Sequence, residues 1–298
     1  MDPLRALSGR TLLTAIFGDP VEHSLSPAMH NAAYAALGME RAYAAFRVTP
    51  ERLRDAIRAI PALGLLGVNL TVPHKERALR MVADLSNEAS LLGAINCVVN
   101  RRGVLHGDNT DARGLALDLH EAGVAPDGKV AVIVGAGGAA ASAVLAVIRL
   151  GARRVVVCNR TAARANRLAR RFAQHLGSRG GGRPTQSIDA RGLDTLTSPS
   201  TMGAAAIVIN ATPMGLKMGG FADLAYDATA PDCVFYDLIY AREPTPFLAP
   251  AAALNRRTLD GAGMLINQGV LAFELFNGAK PPHGVMRRAL MAALGRQG

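Results

Sequence analysis

Lysine is scarce in this chain: four lysines stand against 29 arginines. One of the four, Lys75, ends the string Asn69-Leu70-Thr71-Val72-Pro73-His74-Lys75. A guanidinium stays protonated at any working pH, whereas an ammonium can give up a proton and take it back. In an arginine-dominated sequence a lysine's position is therefore informative, and Lys75 is a candidate for moving a proton. Three more polar strings lie where an alternating chain would need only turns: His23-Ser24-Leu25-Ser26-Pro27, Gly93-Ala94-Ile95-Asn96 and Gly107-Asp108-Asn109-Thr110-Asp111. Their hydroxyls, amides and carboxylates suit the holding of a small polar substrate and the movement of its protons. Each also has a structural use. Ser26 can cap a helix, Thr71 can sit in a strand, Asn96 can make a turn, and Asp111 can occupy a first helical turn.

A second chemistry is anion binding. Gly135-Ala136-Gly137-Gly138-Ala139-Ala140 fits G-x-G-x-x-A, between the β-branched run Val130–Val134 and an alanine-rich segment. Glycines there let the turn close and bring backbone N–H groups against a pyrophosphate at a helix N-terminus. At the next strand–helix junction, a cofactor lacking the 2′-phosphate would want Asp or Glu for its ribose. The stretch Cys158-Asn159-Arg160-Thr161-Ala162-Ala163-Arg164-Ala165 holds neither. Arg160 and Arg164 instead oppose the positive end of the helix, a mismatch that a bound phosphate relieves. The pattern favours the 2′-phosphate of NADP. The plainer alternative is a pair of solvated surface arginines.

Positioning these groups requires alternating short β-branched runs and helical segments, the signature of an α/β protein with mainly parallel sheets. A first helix is predicted with Ser26 as N-cap, Pro27 at its first position and Gly38 just past its end. Thr49-Pro50 opens a second helix that ends near Gly64. Gly67–Thr71 reads as a buried strand, Ser86 caps a short helix before Asn96, and Cys97–Asn100 with Val104–His106 forms a hairpin. Thr110 to Glu121 is a connecting helix. Val155–Cys158, Ile207–Ile209 and Val234–Leu238 are further buried strands, and Met264–Asn277 and Val285–Leu294 are helices. Gly177–Pro184, with the sequence GSRGGGRP, reads as a surface loop.

Composition sets the outer limits. The chain has 298 residues, 50% of them hydrophobic and 19% charged, which is enough to bury one or two ordinary cores and rules out disorder. Cys97, Cys158 and Cys233 lie far apart with no CxxC, which points to a reducing compartment, here the cytoplasm, and to no structural zinc. The histidines show no ligand spacing, so no metal is expected. The N-terminus has no export pattern. Val130 to Ile148 carries no charge, yet its order of strand, glycine turn and helix argues against a membrane span. The net charge of +10 comes from residues 149–191, which hold eleven arginines and one acid, Asp189. That band contains a single aromatic residue, Phe172, and reads as a solvated helix face rather than a nucleic-acid surface.

Taken together, SLSP, NLTVPHK, GAIN, GDNTD, GAGGAA, NRT-x-x-R, INAT and GMLINQ resemble the shikimate dehydrogenase family, NADP-linked enzymes that reduce 3-dehydroshikimate to shikimate. The resemblance runs from Ile16 to Leu290 with all motifs in order. It implies a substrate-binding catalytic domain of residues 1–107 closed by 263–298, a Rossmann NADP domain of residues 108–262 between them, and a substrate cleft between the domains. It implies Lys75 and Asp108 as the catalytic pair. Ser24, Ser26, Asn69, Thr71, Asn96 and Gln268 would hold the substrate's carboxylate and hydroxyls, with Tyr240 near the ring. Gly135, Ala136, Gly137, Gly138, Ala139, Asn159, Arg160, Thr161, Arg164, Leu238 and Gly261 would line the cofactor. The partner implied is a small molecule, on a monomer or homodimer, in the biosynthesis of aromatic amino acids. Two departures stand out: the GSRGGGRP loop is longer than the family usually carries, and INAT runs on into Pro213-Met214. Competing readings are a quinate/shikimate dehydrogenase with broader substrate or NAD use, and a non-catalytic NADP-binding regulator; both candidate catalytic residues being present argues against the latter.

Overall fold

The computed structural model describes residues 7–178, 187–215 and 219–296. The chain divides into two compact units, Met1–Thr110 with Ile266–Gly298, and Asp111–Leu265.

The first unit runs β1 (Leu12–Gly18), α1 (Ser26–Ala36), β2 (Arg41–Arg47), α2 (Leu53–Ala62), β3 (Gly67–Leu70), β4 (Asp84–Leu85), α3 (Asn87–Leu92), β5 (Cys97–Arg101) and β6 (Val104–Asp108). Its six strands lie in the order β2-β1-β3-β5-β6-β4. β1 pairs in parallel with β2 and β3, because α1 and α2 are right-length crossovers between them. α2 shows why it packs: Leu53, Ile57 and Ile60 recur on one face and are buried against Phe17, Val68, Leu70 and Val98. Beyond β3 the pairings of β5 with β3 and with β6 are antiparallel, and β4 then adds to β6 in parallel. β5 and β6 form the predicted hairpin, paired from Arg101↔Val104 to Cys97↔Asp108. Its two-residue loop, Arg102 at φ 53 and Gly103 at φ 90, has the positive dihedrals of a tight hairpin turn. The sheet is therefore mixed, with parallel pairings outnumbering antiparallel ones.

Two local expectations are corrected here. Ser26 is not an N-cap: α1 begins at Ser26 itself, with Leu25 in the cap position and no side-chain cap. Ser26 is buried, which directs its hydroxyl inward rather than to the helix end. The second helix starts at Leu53 rather than at Thr49-Pro50, since a turn from Thr49 to Arg52 comes first.

The second unit contains α4 (Asp111–Glu121), β7 (Val130–Val134), α5 (Gly138–Arg149), β8 (Arg154–Cys158), α6 (Ala162–Ser178), β9 (Ser187–Arg191), α7 (Pro199–Gly203), β10 (Ala205–Asn210), β11 (Val234–Asp237), α8 (Leu248–Ala253) and β12 (Arg257–Leu259). All pairings are parallel, in the order β12-β11-β10-β7-β8-β9. β7 is central and wholly buried, as its unbroken apolar run requires. Chain order reverses between β7 and β10, so the carboxyl ends of these strands form a topological switch point, where such sheets take ligands. The uncharged stretch from Val130 is strand, turn and helix. α6 extends through Ser178, so Gly177 and Ser178 of the expected loop are helical; residues 179–184 lie outside the described ones.

Last come α9 (Ala262–Asn277) and α10 (Val285–Leu294). The later part of α9 belongs to the first unit, where Phe273 lies against His30 and Tyr34 of α1, and α10 packs on α1 as well.

Candidate active site

In the first unit, the polar strings gather at one end of the sheet. β1 and β3 end there, and in the antiparallel hairpin β5 begins there while β6 ends there. Thr71 N–H donates to Phe17 O at 3.0 Å, tying the end of β3 to β1. His74 is fully buried, and its Nε2–H donates to Val48 O at 2.7 Å; burial lowers its pKa, so it is a neutral pin for the turn that carries Lys75. Lys75 and Asp108 flank a single dipeptide. Ile95 N–H donates to Lys75 O at 2.9 Å, and the next N–H, of Asn96, donates to Asp108 O at 3.1 Å. Asp108 Oδ1 also accepts from Ser86 Oγ at 2.5 Å and from Asn109 N–H at 2.8 Å. Ser86 does two jobs, because the same oxygen accepts from Ala89 N–H and caps α3 as the sequence predicts.

The substrate-site amides form a buried relay. Tyr43 Oη donates to Asn69 Oδ1 at 2.8 Å, and Asn69 Nδ2 donates to Asn96 O at 3.1 Å. Asn96 Oδ1 accepts from Thr110 N–H at 2.8 Å, while its Nδ2 reaches Thr110 Oγ1 at 2.9 Å and Gln268 Oε1 at 3.4 Å. The structure thus brings Asn69, Asn96 and Gln268 together. Ser24 and Ser26 share the entry to α1, where Ser26 N–H donates to Ser24 Oγ at 3.4 Å. Tyr240 belongs to the second unit, where burial raises its pKa.

The second unit carries the anion-binding features. Gly135 sits at φ +123, and a Cβ there would stand 2.9 Å from Ala211 O, so only glycine fits between β7 and the segment after β10. An added Cβ on Gly137 would meet nothing within 4 Å, which leaves that side open. Gly137 is also the N-cap of α5 and has no side chain to satisfy the helix's first N–H groups. Those donors fit a pyrophosphate. At the end of β8, Asn159 Nδ2 donates to Thr161 O at 3.0 Å and fixes the loop, with Arg160, Thr161 and Arg164 exposed beside it. Gly261 approaches the Leu238 backbone too closely to tolerate any side chain. These residues fit the nucleotide that the sequence predicts.

Sequence reasoning missed three neighbours. Tyr43 lies in β2, an element the residue pattern does not announce. Arg191 ends β9 opposite Cys158 and accepts Asn159 N–H on its carbonyl at 3.1 Å, while its guanidinium lies 3.9 Å from Asp189 Oδ2. Asp237, at the end of β11, is buried and accepts from Asn210 Nδ2, Ile239 N–H and Thr245 Oγ1; burial raises its pKa to about 6 against those three donors. A carboxylate closing the apolar run Cys233-Val234-Phe235-Tyr236 was the available signal. Among the described residues, no group of three or more His, Cys, Asp or Glu could hold a metal, and no helix is long and apolar enough to cross a membrane.

A six-stranded parallel sheet with this glycine turn, carried in a chain whose other unit offers a lysine, a carboxylate and aligned amides, defines a dinucleotide-dependent dehydrogenase of the α/β class. Comparison with known proteins narrows the class. Residues 16–98 match the shikimate dehydrogenase substrate binding domain, residues 119–178 match shikimate / quinate 5-dehydrogenase, and residues 261–291 match the shikimate 5′-dehydrogenase C-terminal domain. Shikimate dehydrogenase (NADP(+)) of Geobacter sp. (strain M21) is 40% identical over 293 residues, 98% of this chain and 99% of that one. The crystal structure of shikimate 5-dehydrogenase from Thermus thermophilus in complex with NADP(H) and shikimate superposes with a TM-score of 0.82 at 35% identity, covering 95% of this chain and 100% of that one. Quinate dehydrogenase from Corynebacterium glutamicum in complex with NAD gives a TM-score of 0.84 at 29% identity, covering 95% and 99%. The chain belongs to the shikimate dehydrogenase family.

Proposed function

We propose that this protein is an NADP-dependent shikimate dehydrogenase, reversibly reducing 3-dehydroshikimate to shikimate, with Lys75 and Asp108 as its acid–base pair. The observation that carries the pair is the Ile95-Asn96 dipeptide, whose successive N–H groups bind the Lys75 and Asp108 carbonyls. NADP, held by the 135–139 turn and by Asn159, Arg160, Thr161 and Arg164, supplies or accepts the hydride. Leu238 and Gly261 complete its lining. In the reducing direction the ketone carbon gains hydride and negative charge grows on its oxygen. The Lys75 ammonium stabilises that charge and donates the proton; the hydroxyl proton returns to the amine in the reverse direction. Asp108, steadied by Ser86 and Asn109, orients the lysine and the substrate hydroxyl. Ser24 and Ser26 bind the carboxylate, while Asn69, Thr71, Asn96 and Gln268 bind hydroxyls, with Tyr240 near the ring.

The alternative is a quinate/shikimate dehydrogenase using NAD. No acid stands between Asn159 and Ala165 to take a bare ribose, and that stretch carries two arginines, Arg160 and Arg164. The reading rests there. Rates with shikimate or quinate, crossed with NADP or NAD, test it: shikimate with NADP should be the fastest combination, and a preference for quinate with NAD would overturn the assignment. The protein is proposed to work in the cytoplasm, consistent with three buried free thiols.

A further inference from the structure

Asn69 is an amide whose orientation is forced. Its Nδ2 faces the Asn96 carbonyl at 3.1 Å, and a carbonyl only accepts, so the nitrogen must be on that side and Oδ1 on the other. Oδ1 is met there by Tyr43 Oη at 2.8 Å, which must be the donor. Burial raises the Tyr43 pKa well above the usual tyrosine value, so the hydroxyl keeps its proton and stays a donor. Tyr43 thus ties β2 to the candidate substrate residue Asn69 in β3. The tyrosine itself is gripped. Its ring stacks on His30 at a centroid distance of 4.2 Å and 20° between planes. Asn31 clamps its backbone, taking Tyr43 N–H on Oδ1 at 2.8 Å and donating Nδ2 to Tyr43 O at 3.0 Å. Neither ring nitrogen of His30 has a hydrogen-bond partner, and burial lowers its pKa to about 3. His30 therefore remains a neutral aromatic plate at working pH.

We propose that Tyr43 is a positioning residue of the substrate site, whose hydroxyl holds the Asn69 amide so that Asn69 offers the substrate an N–H and never a carbonyl oxygen. One N–H of Nδ2 is committed to Asn96 O, and the second remains for an acceptor oxygen of the bound polyhydroxy acid. This rests on the reading of Asn69 as a shikimate ligand. Without the hydroxyl, Oδ1 loses its buried donor and the amide loses its fixed sense, which weakens substrate binding while leaving the proton-transfer groups and the nucleotide site in place.

The test uses the full-length enzyme with shikimate and NADP. Tyr43→Phe should raise KM for shikimate about five- to twenty-fold, the range for one buried hydrogen bond. Turnover should stay within about two-fold and KM for NADP should not move. Asn69→Ala should raise KM for shikimate at least as much, and adding Tyr43→Phe to it should do nothing more. Asn69→Asp keeps the acceptor for Tyr43 but removes the N–H, and it should bind shikimate no better than Asn69→Ala. A lower melting temperature for Tyr43→Phe with unchanged KM would reduce Tyr43 to a structural residue and overturn the proposal. So would near-normal KM for Asn69→Asp. If Asn69→Ala leaves KM unchanged, it is the assignment of Asn69 to the substrate that fails, and if the wild-type protein does not oxidise shikimate, the functional reading falls first.

Discussion

Lys75 is where the mechanism is most exposed to experiment. Lys75→Ala should lower turnover by about a hundred- to ten-thousand-fold, the usual range for a lost acid–base group, and leave NADP affinity unchanged because the nucleotide is held by another unit. Asp108→Asn should do nearly as much, and the double variant little more than either, since groups that act as one unit lose non-additively. A folded Lys75→Ala enzyme with near-normal turnover ends the mechanism. Arg160→Ala makes the matching point for the cofactor: KM for NADP should rise about ten- to hundred-fold, the worth of a charge-assisted contact, with little change for NAD. Equal losses for both would show that this arginine does not read the phosphate. Lys75 stands out in the sequence as a lysine among arginines, and Arg160 and Arg164 as cations at a helix start, whereas Asp108 is singled out by the family resemblance. Tyr43 was not legible. A tyrosine is an ordinary strand residue, and its link to Asn69 exists only once β2 and β3 flank β1.

Elements were legible to the degree that their ends are marked locally. α10 runs over the predicted residues, and α3 has its Ser86 cap and its left-handed Gly93. β1 and β2 went unassigned because their residues do not declare a strand. Arg41–Arg47 reads RAYAAFR, five of its seven residues alanine or arginine, and becomes a strand through the parallel register Leu12↔Arg41 to Gly18↔Arg47. Ser26 misled for a related reason: a serine before proline looks like a cap, but α1 begins at Ser26 itself and buries it. Ser86 is the better cap to test. Ser86→Ala removes the α3 cap, about 1 kcal/mol, and also the 2.5 Å bond to Asp108. Melting temperature should fall by a few degrees and turnover should drop together, with Ser86→Thr restoring both; a fall in melting temperature alone would detach Ser86 from catalysis. At the end of β11, Asp237 predicts a pH dependence. Burial raises its folded pKa from 3.8 to about 6, so its contribution to stability is fully present below its unfolded value and lost as pH rises through about 6. The size is about 3 kcal/mol at most. Asp237→Asn should flatten the profile of melting temperature between those two values, and an unchanged slope would assign that titration to other groups.

At the scale of the whole molecule, charge and contact can be separated. The +10 excess lies within residues 149–191, which include α6 and the junctions before and after β8. A diffuse positive field would draw in any anion, NAD and NADP alike, and polyanions too. A site built by Arg160 and Arg164 would add an interaction that only the 2′-phosphate makes. Salt distinguishes the two, because the screening length falls from about 10 Å at 0.1 M to about 3 Å at 1 M. Raising salt from about 0.1 M to about 0.5 M should therefore weaken both cofactors through the shared field, and NADP more steeply through its extra charge. In Arg160→Ala the two slopes should converge, since the site that tells the cofactors apart has lost a ligand. Parallel slopes in the wild-type enzyme would mean that the arginine band acts only as a field, and cofactor choice would then have to come from the ribose side of the site.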